Sequence, residues 1–224
     1  MHAFAWYEDG MRLFKRAPLN WCMLGFITLA AELALQFVPS IGVAASKVII
    51  PVMECGMLIG AVAVDRGAPL EIRYAFSAFG ARASALAAIV ASALLVFGAE
   101  ALTGYSLEGV NLLASSSDEA DITNPTLGAM FTIGTLVSLP VMFVPFAVLF
   151  DDASFREAFV TSAHGFALNV LPLIVFGALA LLLIVVGLFT YGIALIAILP
   201  LLSAASYAAW KDIYAVAAPS GQSP

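Results

Sequence analysis

Six long apolar runs divide this chain of 224 residues, and eight of its nine Lys and Arg residues fall in the segments on one side of them. The runs extend from Asn20 to Val38, Gly42 to Val64, Ala83 to Thr103, Leu127 to Phe150, Asn169 to Leu188 and Tyr191 to Trp210. Each is long enough to cross about 30 Å of hydrocarbon as a helix. Arg12, Lys15 and Arg16 precede the first run, Arg66, Arg73 and Arg82 separate the second from the third, Arg156 separates the fourth from the fifth, and Lys211 follows the sixth. The connectors on the other side contain no Lys or Arg. By the positive-inside rule this asymmetry places both termini in the cytoplasm.

The solvent implied is lipid. Hydrophobic residues make up 62% of the chain and charged residues 11%, far from the roughly 25% charged of a soluble domain. Within lipid every backbone amide must find a partner in the chain, and apolar runs without alternation choose helices over a barrel. The expected fold is all-α, a single polytopic bundle of six transmembrane helices in three hairpins with amphipathic cytoplasmic segments at the interface. The basic stretch before the first run is longer than a signal peptide's charged region, and Glu32 and Gln36 interrupt the run, so it reads as a retained span.

A threefold unit is also legible, at residues 1–66, 67–152 and 153–214. Each unit opens on an amphipathic segment carrying Arg and Phe, such as Ile72-Arg73-Tyr74-Ala75-Phe76 and Phe155-Arg156-Glu157-Ala158-Phe159, and ends on Asp65, Asp151 or Asp212. In the first unit Trp6, Leu13 and Phe14 lie apart from Arg12, Lys15 and Arg16, which suits a helix at the headgroup plane. Arg12, Lys15, Arg16, Arg66, Arg73 and Arg82 are thus expected to face lipid headgroups.

Charges within a span cost roughly 2.5 to 3.5 kcal/mol at its centre, so those that remain need partners or a cavity. Glu32 in the first run and Lys47 and Glu54 in the second stand out, all in the first hairpin. If that hairpin turns at residues 40–42, Lys47 comes within reach of both Glu32 and Gln36. Glu32, Gln36, Lys47 and Glu54 are therefore expected to form an intramembrane polar cluster, either a structural pairing that fixes the hairpin or part of a proton or ion path. Pro51, Pro140, Pro145, Pro172 and Pro200 interrupt the runs, and Gly56 with Gly60 forms a ridge of small residues suited to close helix contact.

Other chemistries find little support. Cys22 and Cys55 lie in apolar runs with no nearby ligands, His164 has no second ligand at metal spacing, and Ser162 beside it shows no base or oxyanion hole. No phosphate loop, dinucleotide fingerprint or nucleic-acid patch occurs, so neither cofactor, metal nor nucleic acid is expected, and the chain reads as no enzyme. The long connector after the third run carries Glu108, Asp118, Glu119 and Asp121 without calcium-loop spacing and reads as a solvated loop.

Met11-Arg12-Leu13-Phe14-Lys15-Arg16-Ala17-Pro18, Val64-Asp65-Arg66-Gly67 and the closing Tyr207-Ala208-Ala209-Trp210-Lys211-Asp212-Ile213-Tyr214 give the chain, over nearly its whole length, a pattern that resembles an uncharacterised bacterial family of six-span inner-membrane proteins. The resemblance implies a bacterial cytoplasmic membrane and transfers no site residue. Two functional expectations follow. One is a non-enzymatic membrane component in envelope or lipid maintenance, whose partners are membrane lipids and a second copy or another membrane protein. The other is a small-solute or ion transporter or channel working through the Glu/Lys cluster.

Overall fold

The computed structural model describes residues 2–38, 41–112 and 122–215. Among them are nine α-helices and no strand: α1 (His2–Arg16), α2 (Pro18–Gln36), α3 (Gly42–Asp65), α4 (Ala83–Glu108), α5 (Asn124–Ser138), α6 (Val144–Phe150), α7 (Phe155–Leu168), α8 (Val170–Phe189) and α9 (Leu195–Ala215). Short 3₁₀ segments occupy Ile72–Gly80 and Leu139–Val141. Five helical stretches are long and apolar enough to cross a membrane: α2, α3, α4, α5 with α6, and α8. The sixth apolar run corresponds to α9, which is not among those five and carries Lys211 and Asp212 near its end. Pro39 and Ser40 of the first short turn, and the acidic stretch with Asp118, Glu119 and Asp121, lie outside the described residues.

The fourth run is not one helix. Pro140 and Pro145 each remove a backbone donor, and the chain passes from α5 through the 3₁₀ turn to α6. In an apolar surrounding the freed groups need a substitute partner. Ser162 on α7 supplies it: its hydroxyl donates to the Pro140 carbonyl at 2.8 Å and accepts from the Phe143 amide at 3.1 Å, with the residue wholly buried. Helix α7 can run back beside α6 because Ser154 and Glu157 form a reciprocal capping box that starts it cleanly.

Connections at the basic end are closed by polar ties. Lys211 Nζ lies 2.6 Å from Asp65 Oδ2, to which the Tyr207 hydroxyl also donates at 2.8 Å. Arg16 donates to the Val64 carbonyl, and Arg82 pairs with Asp152 at 3.3 Å. The buried stripe Ala3, Trp6, Gly10 and Leu13 of α1 packs on protein rather than lipid. A methyl at Gly10 would overlap the Ala205 backbone of α9, and Trp6 Nε1 donates to Asp212 at 2.8 Å. So α1 is a strap along the basic-end half of α9, a tighter arrangement than a helix floating at the headgroup plane. The 3₁₀ segment takes the equivalent place on α3, where Gly56 admits the Tyr74 carbonyl and Gly60 admits Leu70.

Packing is uneven along the bundle axis. From Val52 to its basic end α3 is largely buried, while its far end is mostly half-exposed. The aromatic rings of Phe143, Phe146, Trp210 and Tyr214 fill the basic end, with Phe146 stacked on Trp210 at 5.4 Å and Phe143 edge-on to Tyr214 at 5.4 Å. Aromatic contacts of this kind add about 0.5–1.5 kcal/mol each beyond their burial. The bundle is consequently more tightly packed along α3 at its basic end than at the other, and the less buried half holds Glu32 and Lys47.

Candidate functional site

Helices α2, α3 and α4 surround a cavity of about 430 Å³ in the far half of the bundle, and Glu32, Lys47, Glu54 and Glu100 all line it. Helical periodicity explains the first three. Lys47 and Glu54 are seven residues apart and share a face of α3, and the antiparallel α2 turns Glu32 toward that face. Lys47 Nζ stands 4.0 Å from Glu32 Oε1 and 5.2 Å from the centre of the Phe97 ring on α4. The lysine is thus held between a carboxylate and an aromatic face, an arrangement that stabilises a cation from both sides. Gln36 donates to Glu32 Oε1 at 2.9 Å from one turn farther along α2, but it is exposed and does not line the cavity.

Glu100 corrects the expectation that only the first hairpin carries charge inside the apolar runs. It belongs to α4, is half-buried, and brings a third carboxylate to the same cavity. The signal was available. Counting outward from Asp65 along α3 and from Ala83 along α4 at equal rise puts Lys47 within about one residue of the level of Glu100. Its side chain lies directly against Gly134 of α5, where an added methyl would overlap the carboxyl group. Gly134 is therefore the seat that lets Glu100 fold against α5.

Charge in this cavity does not balance. One lysine and three glutamates line it, and the lysine's ion-pair partner is Glu32. Glu54 and Glu100 make no hydrogen bond or ion pair with any described residue. The neighbouring hydroxyls are not free to help: Thr28 donates to the Leu24 carbonyl at 3.1 Å and Ser46 to the Val43 carbonyl at 3.0 Å. A carboxylate in apolar surroundings is stable only if it binds a proton, water or a cation. No three His, Cys, Asp or Glu among the described residues converge as a metal-ligand set.

The remaining sequence candidates sit elsewhere. Arg12, Lys15, Arg16, Arg66, Arg73 and Arg82 are all exposed at the basic end, with Arg12 also paired to Asp9 at 3.0 Å and Arg73 to Glu71 at 2.7 Å. Asp151, in the turn after α6, is largely exposed, and the partial desolvation of its carboxyl raises its pKa. Cys55 is buried, Cys22 half-buried, and both are free thiols. His164 is exposed. Ser162 is engaged by the broken fourth run, a structural role that no local sequence pattern announces.

Fold and cavity together define a class: an all-helical protein with the helices of a membrane protein and a charged chamber among them. No protein-family model, curated protein or solved structure matches the chain.

Proposed function

We propose that the chain is a six-span bacterial inner-membrane protein, arranged as three hairpins with both termini cytoplasmic, that binds a cation in the α2–α3–α4 chamber as a step of transport. The carrying observation is the chamber's composition: three carboxylates from three helices against one lysine, with Glu54 and Glu100 unpaired. The excess of Lys and Arg at one end supports the orientation, which puts the chamber in the periplasmic half. Aromatic packing at the opposite end supports a resting state closed toward the cytoplasm. Resemblance to six-span inner-membrane proteins supports the location.

Reconstitution tests this directly. Proteoliposomes loaded with a pH-sensitive dye and given a potassium diffusion potential should show proton flux above that of empty vesicles, and Glu54→Gln should reduce it about tenfold or more. Flux equal to that of empty vesicles, for protons and for each monovalent cation tried as the driving ion, overturns the reading.

A second reading rests on a separate observation. The exposed basic residues and the α1 strap form a rim suited to anionic headgroups, as a non-enzymatic component of envelope or lipid maintenance would need. It predicts that neutralising Lys15 and Arg66 weakens binding to anionic vesicles while leaving Glu54-dependent flux intact.

A further inference from the structure

The polar chamber is not isolated. A second cavity of about 360 Å³ lies toward the basic end, and Pro51, Glu54, Ala93, Val96 and Leu199 line both. Its other walls are mostly apolar, among them Leu58, Ile89, Leu139, Phe146 and Phe176. The hydroxyls of Ser92, Thr135, Ser138, Ser203 and Ser206 also reach it, and Ser92, Ser138 and Ser203 each donate to a carbonyl of their own helix, at 2.8, 2.8 and 3.1 Å. Glu54 is the only charged side chain in its lining. Glu54 stands at the junction, with an acidic room on one side and an apolar room on the other.

We infer that the two cavities form one binding site for a lipophilic organic cation, its charged centre held by Glu54 and Glu100 and its apolar body lodged in the second cavity. This inference rests on the cation-transport reading and names the substrate class. A bare proton or alkali ion would use the carboxylates but leave the apolar room without purpose. A neutral lipid-like molecule would use the apolar room but leave two carboxylates facing it unpaired. An amine or phosphonium with an aromatic or aliphatic body satisfies both, and each cavity falls in the size range of small-molecule sites. Lys47, the one cation lining the chamber, stands 4.0 Å from Glu32 and 5.2 Å from the centre of the Phe97 ring, which offset its charge toward such a guest.

The test uses the full chain in detergent and two probes of equal charge. Equilibrium dialysis should show tetraphenylphosphonium binding about 100-fold more tightly than tetramethylammonium, since only the larger cation buries apolar surface. Glu54→Gln in the same detergent should abolish the binding, which separates it from partition into micelles. Ala93→Phe, which narrows the junction, should weaken tetraphenylphosphonium at least tenfold. Ala180→Phe, in the apolar cavity alone, should do the same and serves if the first variant does not stay monodisperse. Equal affinity for the two probes, or wild-type binding in monodisperse Ala93→Phe and Ala180→Phe, overturns the inference. If tetraphenylphosphonium fails to bind while proton flux still depends on Glu54, the substrate class falls and the transport reading stands. If both fail, both fall.

Discussion

Lys47 neutralises one of the three carboxylates in the chamber, and the worth of that contact follows from its geometry. Two unit charges 4.0 Å apart attract by about 4 kcal/mol at an effective dielectric of about 20. The side chains of Lys47 and Glu32 retain 32% and 27% of their exposure, so desolvation and screening reduce the net coupling to about 1 kcal/mol. A double-mutant cycle over Glu32→Gln, Lys47→Met and the pair isolates this quantity. Unfolding of the purified chain in mixed micelles, titrated with a denaturing detergent and followed by circular dichroism, should return that coupling. Lys47→Met should cost more than Glu32→Gln, because it leaves three carboxylates and no cation lining the cavity, whereas Glu32→Gln leaves the lysine in a cavity that still holds Glu54, Glu100 and Phe97. A coupling below about 0.3 kcal/mol, or the reverse order of the single variants, refutes the claim that this lysine neutralises the chamber. If Lys47→Met stays abundant and monodisperse yet loses flux, a purely structural pairing is excluded as well.

Other consequences are equally open to measurement. Ser162→Ala removes the substitute partner of two buried backbone groups and should lower unfolding stability by about 2–4 kcal/mol; a loss under about 0.5 kcal/mol would mean that the break at Leu139–Val141 is satisfied some other way. On α5, Gly128 faces open space and Gly134 faces Glu100. Gly128→Ala should accordingly leave cation binding unchanged and gain up to about 1 kcal/mol from helix propensity, while Gly134→Ala should displace the carboxylate and alter cation affinity severalfold. Identical behaviour of the two alanine variants in binding assays would show that Gly134 is no seat. Partial desolvation raises the folded-state pKa of the largely exposed Asp151, so the ionised form is slightly disfavoured in the folded chain. The penalty is absent below the ordinary aspartate pKa, near 4, grows between that pH and the folded value, and is complete above it. Asp151→Asn should therefore raise the thermal midpoint at pH 7 and leave it unchanged at pH 3; a rise of equal size at both would contradict the desolvation argument.

How far the sequence alone led depends on the range of each interaction. Helix identity was legible because apolar length and backbone satisfaction in lipid leave no alternative, and the pairing of Lys47 with Glu32 was legible because a turn of a few residues fixes the register of α2 against α3. Glu100 could have been found by carrying the same count across the connector of residues 66–82. That connector, however, contains a 3₁₀ segment folded onto α3, and nothing in its sequence states that α4 leaves it at the level where α3 arrived. Ser162 was harder still, since its role depends on α7 running back along α6 to within hydrogen-bond distance of Pro140 and Phe143, some twenty residues earlier in the chain. The amphipathic character of α1 was legible, but periodicity cannot distinguish a face meant for lipid from one meant for α9; Gly10 against Ala205 decides it, and that contact joins the two ends of the chain. The same limit governs the site. Each carboxylate is visible as a costly residue in an apolar run, but the chamber is lined from α2, α3, α4 and α9 together, and that is a property of side chains meeting across the bundle.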